Sequence, residues 1–378
     1  MAPVTIPIPT VEVYDATGTT AAGVLAGLTD IAVSEVFSDV GALRLSLPKS
    51  VTGASLLDVD TDWQLSVQFP GASAMWFVSD DDESTYISDD PDTEPLTITC
   101  RSLHAVLDEA VVIPSGGVGT TPAEHAFSTA TPGTIVTTLL TSAQSRSLCQ
   151  GITVSGDATD DADGTPWPTT VTVTYKAGTT LLAVCNALRD AGLLEYRFIG
   201  RDLELHQPSG GMDRDLDVTL RPGRDVLSAP ITRSRKPQAT AVLIEGESAA
   251  NARRTQTLTG RRAREVYVSE SDAAGADLNA IGDLYLAAHT AAEVQITHEL
   301  TDADDSAPIP WVDYLVGDRI VTAAAGTSPV RRRVQQIALA MTDSGARVTL
   351  EMGSLLRTAE ERMQRQIASL LPGERAVT

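Results

Sequence analysis

Residues 34–48 read SEVFSDVGALRLSLP, two runs in which apolar and polar side chains alternate on either side of Ser38-Asp39-Val40-Gly41. Alternation with a period of two places every second side chain on one face of an extended chain, and a short polar break reverses its direction. The stretch is therefore an antiparallel hairpin, with strands over 31–37 and 42–47. The same pattern extends outward. Val11 to Tyr14 alternates before it, and WQLSVQF at 63–69, then 75–79 and 96–100, continue it, with Pro70-Gly71 and the polar stretch 80–95 as breaks. Residues 1–115 thus predict a small antiparallel β-barrel domain. A two-turn helix over 102–109 (SLHAVLDE), with Ser102 as its N-cap, would close the last strand.

Residues 116–222 have a different character. The Gly-, Thr- and Ser-rich stretch 114–132 and the Asp-, Gly- and Pro-rich stretch 151–168 read as loops. Ile135, Val136, Leu139 and Leu140 recur at helical spacing, as do Leu181, Leu182, Val184, Cys185 and Leu188 before Gly192. The second helix leads into a hairpin, 194–198 and 203–206, turned at Gly200-Arg201. These residues form an α+β insert domain. From 223 to 353 strand patterns return at 226–244, 255–258, 265–268, 293–300, 318–323, 331–341 and 347–352, around one helix over 272–290, and predict a second barrel domain. Residues 354–378 hold a terminal helix: Leu355, Leu356, Ala359, Met363, Ile367 and Leu370 form one apolar stripe after Ser354 and before Pro372-Gly373. Its stripe can dock on its own chain or on a neighbour. The fold class is mainly β, two antiparallel β-barrel-like domains flanking an α+β domain, plus a C-terminal helix.

Composition narrows the function. Over 378 residues, 42% hydrophobic and 21% charged side chains fit a folded globular protein rather than a disordered chain. A net charge of −22 repels phosphate backbones and anionic bilayers. Residues 1–230 hold 31 acids against 11 bases, whereas 231–378 hold 19 against 17, so the two parts face different surroundings. Cys100, Cys149 and Cys185 are widely spaced and odd in number, which argues against a disulfide framework and for reduced, buried thiols. The start, Met1 to Val13, has no Lys or Arg and is broken by Pro3, Pro7 and Pro9, unlike a signal peptide, and no apolar run reaches the roughly 18 residues of a membrane helix. Synthesis in a cytoplasm without membrane insertion is expected.

No motif carries a chemistry. Asp157, Asp160, Asp161 and Asp163 with Gly164 imitate part of a calcium loop, but Thr159 and Thr170 stand where an EF-hand needs acids, so a solvated loop is expected. Asp302, Asp304 and Asp305, and the run Asp80-Asp81-Asp82-Glu83, read the same way. Cys100 and His104 form a lone pair where zinc needs two. There is no G-x-S-x-G, G-x-G-x-x-G or Walker lysine, and His104, His125, His206, His289 and His298 are scattered. No catalytic, metal or cofactor residue is assigned. One basic run stands out: Arg233, Arg235, Lys236, Arg253, Arg254, Arg261, Arg262 and Arg264 give 231–264 a net +6. It would meet either nucleic acid or an acidic surface such as 53–94, eleven acids without a base, in an adjoining subunit. Few aromatics lie nearby to stack bases, which favours the subunit contact. Candidate interface residues are accordingly Arg233, Arg235, Arg253, Arg254, Arg261 and Arg262, with Leu355, Leu356, Met363 and Ile367 of the tail helix. In the run Arg331-Arg332-Arg333, alternation sends at least one guanidinium toward a partner or an acidic neighbour.

Several segments in order, VEVYDATG at 11–18, the hairpin 34–48, LTITCRSLHAVLDEAVVIP at 96–114, TTLLAVCNALRDAGLLEYRFIGRDLELHQP at 179–208, YLVGDRIVT at 314–322 and VTLEMGSLL at 348–356, resemble the hub or minor tail proteins at the distal tail tip of long-tailed phages, siphophage type. The resemblance implies a structural virion protein, made in the bacterial host and placed at the distal end of the tail. It implies a homotrimer whose six barrels form a ring continuing the tail tube, beside the distal tail protein, the tape measure protein and further tip proteins. DNA would pass through such a ring without specific binding, which the acidic surplus suits. Ending at Thr378 soon after the closing strand, the chain is expected to lack an appended peptidase, lysozyme-like or adhesin region, and no enzymatic activity or cofactor is expected. A cell-wall (peptidoglycan) hydrolase and a receptor- or carbohydrate-binding tip protein are the competing readings; at 4% aromatic content the last is disfavoured.

Overall fold

The computed structural model describes residues 8–48, 53–57, 61–83, 95–119, 121, 123–208, 215–235, 238–246, 250–269, 278–290, 292–300, 307–323, 329–342 and 345–353. The expected tail helix, with Leu355, Leu356, Met363 and Ile367, lies outside them.

The first seven strands are β1 (Thr10–Asp15), β2 (Ala21–Leu25), β3 (Asp30–Val36), β4 (Ala42–Pro48), β5 (Trp63–Gln68), β6 (Met75–Glu83) and β7 (Pro95–Ser102). The insert follows with β8 (Glu124–Ala130), α1 (Pro132–Gln144), β9 (Thr153–Ser155), β10 (Val171–Lys176), α2 (Leu181–Asp190), β11 (Glu195–Ile199) and β12 (Asp202–His206). Then come β13 (Asp215–Leu220), β14 (Val226–Ser228), β15 (Ile231–Ser234), β16 (Ala241–Glu245), β17 (Asn251–Thr255), β18 (Glu265–Ser269), α3 (Leu278–Ala288), β19 (Glu293–Leu300), β20 (Arg319–Thr322), β21 (Val330–Thr342) and β22 (Gly345–Gly353). The architecture is mainly β with a small α+β insert.

The founding hairpin forms as its alternation dictates: β3 and β4 pair from Asp30↔Ser46 to Ser34↔Ala42, and Leu43, Leu45 and Leu47 are fully buried. β4 pairs with β7, and the path continues β7-β6-β5-β1-β2. On its other side β3 pairs with β21, Ile31 opposite Met341 through Val36 opposite Gln336. This ladder joins strands of both expected barrel halves, β16 to β18 excepted, in one 14-stranded sheet. They share one apolar core, in which Val11, Val13, Leu65 and Ile98 meet Ile337, Leu339, Val348 and Leu350.

Two compact units are present. Among the described residues, one draws on 8–230 and 297–352, the other on 231–296 with Gly353. In the first, the insert has its own core, built from Ile135, Val136 and Leu139 of α1, Val184, Cys185 and Leu188 of α2, and Tyr196, Leu203 and Leu205 of the hairpin β11–β12. Thr131 and Thr180 cap the two helices, each hydroxyl accepting the N–H three residues on, at 3.1 and 3.2 Å. In the second unit, α3 packs on a three-stranded sheet ordered β17-β16-β18. Gly282 permits this approach, since a Cβ there would lie 2.6 Å from Ile244 Cδ1.

Several expectations shift. The helix expected over 102–109 is a 3-10 turn, Leu103–Leu107, because the Ser102 hydroxyl accepts the Gly41 N–H at 2.8 Å and caps nothing. The expected loop 114–132 contains β8, paired with β10, and the loop 151–168 begins with β9, which adds in parallel to β12. The run 226–244 breaks into β14, β15 and β16. The strand expected at 255–258 lies at β17, four residues earlier, where the adjacent Arg253 and Arg254 hid it. The helix expected over 272–290 is described from Leu278 onward.

The β3–β4 turn also fastens the insert. Ser38, at φ 49°, is fully buried; its hydroxyl donates to the Tyr196 carbonyl at 2.8 Å and accepts the Tyr196 N–H at 3.2 Å, while Arg189 donates to the Ser38 carbonyl. Ser38→Ala leaves both Tyr196 backbone groups unpaired and is expected to cost about 2 kcal/mol in urea unfolding. Ser38→Gly, which relieves the backbone but restores no bond, should be no better than about half recovered.

Candidate assembly interface

Two polar constellations emerge from the fold. The first is the seam between the insert and the main sheet, within one unit. On β11, Tyr196 and Phe198 face the insert core, so Glu195 and Arg197 face the other way. Arg197, nearly buried, donates to Glu204 Oε2 at 2.8 Å and to the Val316 carbonyl at 3.2 Å, and its Nη1 lies 3.6 Å from Asp318 Oδ1. Asp318, fully buried, accepts the Leu315 N–H at 2.8 Å on its other oxygen, closing the turn of the YLVGD segment. Beside it Glu35 of β3 accepts the Trp311 indole N–H at 2.7 Å, and Trp311 stacks on Phe69. Burial pushes the Glu35 carboxyl up to about 7, against the pull of Trp311 and Arg197. Burial would raise Glu204 as well, but the His206 hydrogen bond and the Arg197 charge outweigh it and hold it at about 2. A second pair, Arg333 with Glu195, lies alongside. Of the triple-arginine strand, Arg333 thus meets Glu195 and Arg331 meets Asp217, so both find acidic neighbours in their own chain.

The second constellation is in the other unit, where the arginines of the basic run separate into groups. Arg253 pairs with Glu265, and Arg254 grips Asp283 with two bonds of 2.7 and 2.8 Å. Arg233 lies on β15 opposite Val294. Arg235, Arg261, Arg262 and Arg264 instead line one cavity of about 250 Å³, with Gln238, Thr240, Leu258 and Gly260. Its frame is rigidly tied: Thr240 exchanges hydrogen bonds with Arg264 through its hydroxyl, 2.7 and 3.0 Å, and buried Gln238 donates to the Thr290 carbonyl at 2.8 Å. Gly260, at φ +72°, makes the turn that presents Arg261 and Arg262.

Asp302, Asp304 and Asp305 lie outside the described residues, while the acids of 157–163, the cysteines and His104 serve the fold. Asp157 accepts the Thr159 and Asp160 N–H groups at 2.6 and 2.9 Å, and Asp161 those of Asp163 and Thr165 at 3.0 and 2.9 Å, so these carboxylates shape turns. Among the described residues no group of three or more His, Cys, Asp or Glu side chains is placed to hold a metal ion. Cys100, Cys149 and Cys185 are buried free thiols, and burial pushes Cys149 to about 11 and Cys185 to about 12. His104 is packed edge-on against Phe198, and burial lowers it to about 4. No described helix is long and apolar enough to cross a membrane.

No family model and no curated protein matches this sequence. Its fold, however, matches solved tail proteins end to end. The 43 kDa tail protein of prophage MuSo2 from Shewanella oneidensis is similar at a TM-score of 0.60 and 14% identity, covering 91% of this chain and 98% of that one. The tail protein from Neisseria meningitidis MC58 gives 0.59 and 11%, over 92% and 97% of the two chains. Prophage tail protein gp18 from Listeria monocytogenes EGD-e gives 0.55 and 14%, over 96% and 100%. The resemblance first read from segments such as 34–48 and 179–208 is met in the fold: this is the architecture of prophage tail proteins.

Proposed function

We propose that this chain is a structural protein of a phage virion: the tail-tip, or baseplate, hub that joins the tail tube to the tip complex and lines part of the DNA ejection channel. The observation that carries this reading is the extent of the match, which spans nearly the whole of this chain and nearly the whole of each tail protein compared with it. A net charge of −22 suits a channel wall that lets DNA pass without holding it. Three copies would close the ring, next to the distal tail protein, the tape measure protein and other tip proteins. Its role is mechanical, and a peptidoglycan-hydrolysis assay is expected to release no fragments.

Light scattering at low and high salt, with negative-stain imaging, tests the ring. Particles of three chains with a central opening are expected. A chain that stays monomeric at every concentration, even when mixed with the neighbouring tail proteins, would contradict it.

A further inference from the structure

Three guanidiniums in the cavity between Gln238 and Arg264 stand apart from Arg253, Arg254 and Arg264 of the basic run. Arg253 and Arg254 already hold carboxylates of their own unit, and the Arg264 guanidinium donates to the Arg235 carbonyl. Arg235, Arg261 and Arg262 have no carboxylate partner among the described residues and are exposed. No acidic side chain lines the cavity. Like charges held this close on a tied frame repel one another until an anion sits between them, and planar guanidiniums match carboxylates in paired hydrogen bonds. The space, about 250 Å³, is several times the roughly 30 Å³ share of one water molecule and admits more than one carboxylate.

We infer that this cavity receives the acidic segment 84–94, STYISDDPDTE, of a second copy of the chain. That segment lies between β6 and β7 in the sequence and carries Asp89, Asp90, Asp92 and Glu94 without a base, directly after Asp80-Asp81-Asp82-Glu83. The inference rests on the ring reading above and sets its polarity. A head-to-tail contact that sets the cavity of one copy against the acidic segment of the next, repeated, closes a ring, whereas the same contact made reciprocally about a two-fold axis stops at a dimer. No aromatic side chain lines the cavity to stack a base, which disfavours nucleic acid as its occupant.

Charge reversal tests this. Arg261→Glu with Arg262→Glu, or Asp89→Arg with Asp90→Arg, is expected to drop the particle mass threefold to that of one chain with the melting temperature unchanged. All four changes together in one chain should restore the ring. Cysteine pairing identifies the donor: Arg262→Cys and Asp90→Cys placed on separate chains and mixed under mild oxidation should link two chains, the native thiols being buried. Rings that persist in both single reversals overturn the contact and leave the ring reading standing. A bond that forms only within one chain carrying both cysteines shows the segment to be the chain's own and overturns the second copy. Duplex DNA retained by the parent chain and lost with Arg261→Glu and Arg262→Glu, at unchanged ring mass, assigns the cavity to nucleic acid. A parent chain that stays monomeric at every concentration, even when mixed with the neighbouring tail proteins, and forms no interchain link overturns both proposals together.

Discussion

Arg197→Ala is expected to destabilise the protein by about 3–5 kcal/mol, the usual cost of removing one partner from a buried ionic cluster. The guanidinium holds Glu204 at 2.8 Å, faces Asp318 at 3.6 Å and caps the Val316 carbonyl at 3.2 Å. Alanine would take from Asp318, which has no exposed surface, the guanidinium that faces it. Arg197→Met keeps the packing volume but not the charge and should lose nearly as much. Reversing the surroundings should recover it: Arg197→Met with Glu204→Gln and Asp318→Asn is expected to regain most of the stability, since a neutral buried cluster carries no such desolvation cost. Urea unfolding of the four chains measures this, and a single-substitution loss below about 1 kcal/mol would show that the seam is solvated.

The second large effect is a pH dependence centred on Glu35. Folded Glu35 keeps its proton until about pH 7, whereas an unfolded glutamate releases it near 4.5. Between those values the folded state binds more protons than the unfolded one, so raising the pH lowers stability, and the loss is complete above the folded value. A displacement of this size corresponds to about 3 kcal/mol. Glu204 acts in a different window with the opposite sign: held at about 2, it stabilises the fold above its unfolded value and loses that contribution as the pH falls toward 2. The difference between the parent and Glu35→Gln isolates the first effect. The glutamine carbonyl can still accept the Trp311 N–H, so the variant should match the parent near pH 4 and exceed it by about 3 kcal/mol at pH 8. Parallel curves for the two chains from pH 4 to 8 would show Glu35 to be ionised and paired in the folded state.

Local pattern carried the reading furthest where neighbours in sequence are neighbours in space. The 34–48 hairpin announced itself because Leu43, Leu45 and Leu47 all face one core, and the helices α1 and α2 because an apolar stripe follows a capping threonine. What stayed hidden depends on distant partners. β9 is three residues long and exists because β12 lies beside it, some fifty residues on. The ladder of β3 with β21 joins segments about 300 residues apart, and no period in either strand records the other. Gln64 and Ser66 of WQLSVQF read as a solvent face, yet both are buried, and Arg201 of the insert reaches Gln64 at 2.6 Å. The seam was illegible for the same reason: Arg197 and Asp318 are two ordinary charges until the fold brings them together. The arginine run was visible as a charge excess, but only the structure separates Arg253 and Arg254, paired within their own unit, from Arg235, Arg261 and Arg262, which are left facing a cavity.

The claim that this chain is a tail-tip hub is tested most directly by locating it in the particle. Virions labelled with a gold-conjugated antibody raised against the purified chain should carry gold at the distal end of the tail, about one cluster per particle. Gold along the tube, on the capsid, or absent from virions in which mass spectrometry finds the other tail proteins would contradict the account.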